Sequence, residues 1–218
     1  VPEAVLDAPK YGTFQYHPSL CPLHRGPSSI NWPIALGKDR TGLSIFWPNN
    51  GLDEGPIMLQ KTCAIGPDET LGDVYFKKLF PMGVDAMLEG LDLVKSGVII
   101  KHDQRLEDGT YEGWFGKTEA AIDWSLPVEN VYNIIRASNP APGAWTTIEG
   151  KILKIYDCIP VVGTGKAGDV VEINNEGIIV QAEGGRILIK RVKAEGGKVS
   201  AVDWAATTGV KVGTKLGQ

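Results

Sequence analysis

Long apolar runs are missing from this sequence: charges or glycines interrupt every apolar stretch well before the roughly 20 residues that cross a bilayer. The opening VPEAVLDAPK has neither the basic nor the apolar segment of a secretory signal, so nothing in it points to membrane or export. Cysteine is scarce and odd in number. Cys21, Cys63 and Cys158 form no CxxC pair, which excludes a disulfide framework and a thiolate zinc site and favours a reducing cytoplasm. With three histidines and no ligand spacing among them, no metal is expected. There is no internal repeat and no low-complexity tract. A concentrated basic surface is lacking too. The net charge is −4; residues 151–218 hold ten Lys or Arg against seven Asp or Glu, leaving twelve against nineteen for residues 1–150. Neither balance suits a dedicated nucleic-acid binder. Lys190-Arg191-Val192-Lys193 reads as a solvated strand edge, with a weak tRNA-contacting patch as the alternative.

What remains is 218 residues with 43% apolar content, 27 glycines and 14 prolines, enough for one large or two small globular domains. Thr13 to Tyr16, Leu43 to Trp47 and Ile57 to Thr62 read as short strands bounded by Gly or Pro turns. Ser28-Ser29 introduces a helix over Ile30 to Leu36, with Pro33 tolerable only in its first turn. Pro67-Asp68-Glu69-Thr70 introduces the longest helical pattern, Leu71 to Lys95, in which Val74, Leu79, Val84, Met87, Leu88, Leu91 and Val94 recur at helical spacing. Pro81 should kink or divide it. Strands alternating with helices give an α/β class. Ile99 to Thr118 dissolves into charge and glycine and reads as an extended connector. A helix from Val128 to Ala137 then opens a second region, and five or six short strands after Trp145 suggest a small open barrel.

Polar residues cluster where strands end. In FQYHPSLCPLHRGP, Gln15 and His17 lie two apart on a strand and so share a face. In FWPNNGLDEGP, a glycine-bracketed loop between two strands can present Asp53 inward. A carboxylate beside an imidazole can relay a proton while the imidazole stabilises developing charge. His before Pro is equally a surface residue, and Asp in a Gly-rich turn is equally turn chemistry. His24 and His102 read as structural or exposed.

HPSLCPLHRGPSSINW followed by FWPNNGLDEGPIMLQ resembles the folate-dependent formyltransferase signature: a strand ending in His-Pro-Ser-Leu, an Arg-Gly loop and a Gly-Leu-Asp-x-Gly loop. LFPMGVDAM, TYEGWFGKTEAAIDW and IIRASNPAPGAWT extend the likeness to the C-terminal region of methionyl-tRNA formyltransferase and of the hydrolase domain of 10-formyltetrahydrofolate dehydrogenase. It covers nearly the whole chain. The resemblance implies the second half of a Rossmann-like catalytic domain over residues 1–100, a linker over 101–121 and an OB-like barrel domain over 122–218. It implies 10-formyltetrahydrofolate as co-substrate, with an amine or water as formyl acceptor; tRNA is possible but not favoured by charge. His17 matches the catalytic histidine and Asp53 the catalytic aspartate, Gln15 assists, and Asn49, Asn50, Gly51, Leu52 and Asp53 line the pterin pocket. Trp47 is open between core and pocket.

Two departures bear on the acceptor. The family's Asn two residues before the histidine is Gln15 here, a donor on a longer arm, and the YHPSL, FW and TYEG wording sits nearest the hydrolase-domain branch. The family's opening strands correspond to nothing in the sequence, so the chain is expected to be part of a protein of roughly 300 residues, and a parallel sheet without those strands would expose an edge and apolar faces. Formylation of a nucleotide-linked amino sugar and a non-catalytic folate-binding module are the rival readings.

Overall fold

The computed structural model describes residues 2–217, which divide into two compact units. The first holds residues 1–33 and 38–114, the second residues 34–37 and 115–218.

The first unit begins with a single helical turn, α1 (Glu3–Leu6), followed by strand β1 (Gln15–His17). A short helix, α2 (Asn31–Ala35), whose residues up to Pro33 belong to this unit and whose last two belong to the second, places Pro33 in its first turn, where the missing N–H costs nothing. Strands β2 (Arg40–Phe46) and β3 (Ile57–Ala64) complete a three-stranded sheet of order β1-β2-β3. Both pairings are antiparallel, unlike the parallel sheet expected from the sequence. The cause is local: β2 and β3 are joined directly by residues 47–56 without a crossover helix, which returns the chain antiparallel.

The long helical pattern is one rod with a wide turn in it. α3 (Leu71–Val74) passes through a π-helical turn, Tyr75–Leu79, into α4 (Phe80–Lys95). Pro81 explains the turn. It has no N–H and its ring would strike the carbonyl of Lys77 in a regular helix; the π turn, closed by the Phe80 N–H on the Tyr75 carbonyl, makes room without breaking the rod. Gly83 and Gly90 let α4 approach the sheet against Tyr16 and Met58. The core between them is Leu43, Ile45, Trp47, Met58, Ala86 and Val94. Burial there pushes the Tyr16 phenol up to about 12. Sheet contact uses only part of the apolar pattern. Val84, Leu88 and Leu91 face outward and continue a line through Phe76 and Phe80.

Thr70 caps this rod. Its hydroxyl accepts from the Asp73 N–H, and the Asp73 carboxylate accepts from the Thr70 N–H at 3.0 Å. Bonds from Lys77, first, and from Thr70 hold the Asp73 carboxyl at about 2. Its folded pKa lies below the ordinary value near 4, so its stabilisation is present above about pH 4 and is lost as pH falls towards 2. Asp73→Asn should lower stability by about 1 kcal/mol at pH 7. The difference from the parent in thermal unfolding should close over that acid range; a difference constant with pH would refute the assignment.

Residues 101–114, read from sequence as connector, are laid against the first unit. Ile57 and His102 exchange backbone hydrogen bonds at 2.8 and 2.9 Å, a 3-10 turn follows at Leu106–Asp108, and Tyr111 bridges to Arg25 in parallel.

The second unit carries α5 (Val128–Ala137), then β4 (Ala144–Ile148), β5 (Lys151–Ile155), β6 (Cys158–Val161), β7 (Val170–Ile173), β8 (Ile178–Ala182), β9 (Gly185–Ile189), β10 (Arg191–Lys193) and β11 (Lys198–Ser200), closing with α6 (Ala201–Thr208). These strands form two antiparallel four-stranded sheets, of order β11-β10-β5-β4 and β6-β9-β8-β7. The chain turns the corner between them twice, at residues 156–157 and at Lys190, where the Asp157 carbonyl accepts from the N–H groups of Lys190 and Arg191. The outer edges are not laddered together, so no closed barrel is present among the described residues. Val131, Ile135, Leu153, Ile155, Val180, Ile187, Ile189 and Trp204 fill the core. β10 is an interior strand, flanked by β11 and β5, with Arg191 and Lys193 exposed and Val192 buried; it is not the edge its composition suggested. Among the described residues no helix is long and apolar enough to cross a membrane.

Candidate active site

The alternation of β1 sends Tyr16 towards α4 and buries His17 on the other face. Gln15, on the His17 side by period, sits exposed at the strand's start. The turn after β1 is fixed by a buried hydroxyl. Ser44 Oγ donates to the Ser19 carbonyl at 2.8 Å and accepts from the Cys21 N–H at 3.0 Å and the Gln60 amide at 2.8 Å. Gln60 also donates to the Cys21 carbonyl. Burial pushes the Cys21 thiol up, so it stays neutral within this network. Removing the hub leaves buried groups unpaired. Ser44→Ala should therefore lose about 2 kcal/mol in urea unfolding; a loss under about 0.5 kcal/mol would show that the turn holds without it.

Asp53 arrives from the β2–β3 loop. The Trp47 N–H on the Pro56 carbonyl closes the loop at 2.8 Å, and Gly55 is obligatory because any Cβ there would strike the Trp47 carbonyl. Gln104, from the supposed connector, donates to the carbonyls of Asp53 and Gly55 at 2.9 and 2.7 Å. Asp53 itself is left-handed, φ 56°, and its Oδ2 accepts from the Gly26 N–H at 3.0 Å. Arg25 holds the neighbouring Glu54 at 2.7 Å.

These placements bring Asp53 Oδ2 to 3.6 Å from His17 Nδ1. The other ring nitrogen, Nε2, lies 3.1 Å from the backbone carbonyl of His24. A carbonyl only accepts, so the proton of that bond belongs to Nε2. Nδ1 then faces the carboxylate across a gap wider than a hydrogen bond. A proton released beside this pair has an acceptor on each side of that gap. The couple can therefore take up and return a proton, while its imidazole offers positive charge to a developing oxyanion.

Sequence reasoning brought together His17 and Asp53, and the structure juxtaposes them. Asn49, Asn50, Gly51 and Leu52 line the exposed crest of the same loop, where Asn49 Oδ1 accepts from the Gly51 N–H and Asn50 donates to Glu3. Trp47 resolves as core: it is buried, and its indole N–H donates to the Ile100 carbonyl. His102 is exposed, as expected. His24 is buried, the structural side of the reading given to it from sequence, and its carbonyl lies 3.1 Å from His17 Nε2. Arg25, Gln104 and Glu112 were also missed; the signal available for Arg25 and Glu112 was their place in the HRG and TYEG wording, while Gln104 lies in neither. Arg25 Nε, Gln104 Oε1 and Glu112 Oε2 are buried without a partner among the described residues. Unpaired buried polar atoms are costly, and three of them sit on side chains that frame this loop.

A family model for formyl transferase matches residues 1–88, and one for the formyl transferase C-terminal domain matches residues 115–208. Mitochondrial 10-formyltetrahydrofolate dehydrogenase of Mus musculus is 35% identical over 209 residues, taking in 91% of this chain and 23% of that protein. The chain therefore spans about a quarter of the dehydrogenases it matches. Methionyl-tRNA formyltransferase of Geotalea daltonii is 35% identical over 218 residues, all of this chain and 70% of that protein. In fold, the chain matches the crystal structure of HypX from Aquifex aeolicus in complex with tetrahydrofolic acid with a TM-score of 0.74, at 21% identity over 92% of this chain and 36% of that one.

Proposed function

The chain belongs to the formyl transferase family, and on that premise we propose that it acts on 10-formyltetrahydrofolate, releasing the formyl group to water or passing it to an amine. The observation that carries this reading is the buried His17–Asp53 couple, 3.6 Å apart, at the rim of the β2–β3 loop. Water or an amine attacks the formyl carbon, its proton passes to the couple, and the tetrahedral oxyanion is stabilised by the imidazole and the Gln15 amide. Collapse breaks the bond from carbon to the folate nitrogen, which receives the proton. Asn49, Asn50, Gly51 and Leu52, exposed along the loop, and the backbone of Asp53 line the folate site. The unpaired atoms of Arg25, Gln104 and Glu112 suit a polar ligand or its bound water.

Hydrolysis is the favoured outcome. Gln15 stands where the transferase branch has Asn, and the YHPSL, FW and TYEG wording is nearest the hydrolase-domain branch. The two units correspond, in this reading, to the later part of a Rossmann-like catalytic domain and an OB-like domain, working in a reducing cytoplasm that suits three free cysteines.

The deciding measurement is formate release from 10-formyltetrahydrofolate by the longest native form of the protein, with and without candidate amines. Formate without an amine supports hydrolysis, transfer only with an amine makes the protein a transferase, and no turnover in either case refutes the reading.

A further inference from the structure

His24 occupies the left-handed region at φ 54°, which for a side chain of its size costs on the order of 1–2 kcal/mol. Such a residue persists only where its surroundings over-determine it. Here three bonds do so. Its N–H donates to Thr110 Oγ1 at 2.9 Å, its Nδ1 donates to Glu112 Oε1 at 3.2 Å, and its carbonyl accepts from His17 Nε2 at 3.1 Å. The His24 and Glu112 side chains are 11% and 16% exposed, so the hydrogen bond between them is sheltered from competing water. The strand-like bridge between Arg25 and Tyr111, with Arg25 N–H on the Thr110 carbonyl and Glu112 N–H on the Arg25 carbonyl, both at 3.1 Å, fixes the two segments in register.

We infer that Glu112, acting through the His24 side chain, is a positioning residue for His17: it fixes the His24 carbonyl so that His17 keeps its proton on Nε2 and presents Nδ1 to Asp53. This inference rests on the formyl-transfer reading above for its effect on turnover, and on geometry alone for its effect on the ring. Without the anchor, His24 relaxes from its strained backbone conformation and its carbonyl swings away. Nε2 then loses its acceptor, and the proton can move to Nδ1, from which Asp53 Oδ2 accepts a hydrogen bond. The imidazole would then sit in the wrong tautomer, and a displacement of about 1 Å at a reacting group can cost 100-fold in rate.

The test uses Glu112→Ala, Glu112→Gln and His24→Asn in the full chain, measuring kcat and KM for 10-formyltetrahydrofolate together with the nitrogen-15 signals of the His17 ring. Glu112→Ala should lower kcat about 30-fold with KM changed less than about threefold, and should mix the two His17 tautomers. Glu112→Gln, whose amide oxygen accepts the same bond from His24 Nδ1, should restore most of the rate and the single tautomer. His24→Asn tolerates the left-handed backbone but loses the bond to Glu112, so it should reproduce Glu112→Ala even if that variant folds poorly. Unchanged kcat and ring signals in Glu112→Ala and His24→Asn would overturn the inference, as would a loss shared by Glu112→Gln with the His17 signals unmoved. If the ring signals shift as expected while His17→Ala leaves turnover intact, positioning stands and the formyl-transfer reading falls.

Discussion

His17→Ala is expected to slow turnover of 10-formyltetrahydrofolate about 1000-fold while leaving tetrahydrofolate affinity within a few-fold. In the proposed mechanism the ring supplies both the proton acceptor beside Asp53 and the positive charge for the oxyanion, and it stands 3.6 Å from that carboxylate. Asp53→Asn separates geometry from proton handling. Asn accepts the left-handed φ of 56° and keeps an oxygen for the Gly26 N–H, yet it cannot take a proton. It should fold as the parent does and lose about 100-fold or more in kcat. Turnover above about a tenth of the parent rate in Asp53→Asn would reduce Asp53 to a loop fastener. Single-turnover formate release, with circular dichroism as the folding check, distinguishes these outcomes.

Gly26→Ala should damage both the fold and the site with a single methyl group. Gly26 has φ 109°, and a Cβ would drive into the Glu112 carbonyl and crowd the Tyr111 ring. Its N–H is also the donor on Asp53 Oδ2. The substitution therefore strains the backbone, parts the bridge between Arg25 and Tyr111, and frees the Asp53 carboxylate in one step. A loss of roughly 3 kcal/mol is expected, with at least a tenfold fall in kcat below the melting temperature. Gly113→Ala is the control, because a Cβ there meets open space within 4 Å and should change stability by less than about 0.5 kcal/mol. Equal behaviour of the two variants would refute the role given to Gly26.

The elements that depend on neighbouring residues were legible in the sequence. Val128–Ala137 was read residue for residue, because its apolar period ends at Asn139-Pro140 and nothing long-range contradicts it. The Pro81 disturbance was foreseen, though not its form, since a π turn depends on the register of the rod that receives the proline. α6 (Ala201–Thr208) was missed. Its small residues and short length give a weak period, and its Ser200 cap, accepting from the Asp203 N–H, was the one available sign. In the site, His17 and Asp53 were reached by strand period and loop chemistry, strengthened by family resemblance. His24, Gln104 and Glu112 were not. Glu112 lies 88 positions from His24, and no local pattern reports a contact between residues that far apart.

That separation governs when the site can exist as the chain grows. The HRG loop is synthesised early, but its left-handed histidine has no partner until Thr110 and Glu112 have emerged and the loop between them has closed. Closing a loop of this length costs several kcal/mol of chain entropy, recovered only when the β1-β2-β3 sheet and α4 have already brought the ends together. The arrangement around His17 is thus a late event in folding, and one that reverses first: the His24–Glu112 clasp can open while the sheet beneath it remains intact, and amide exchange at Arg25 and Glu112 should report that opening as a single event.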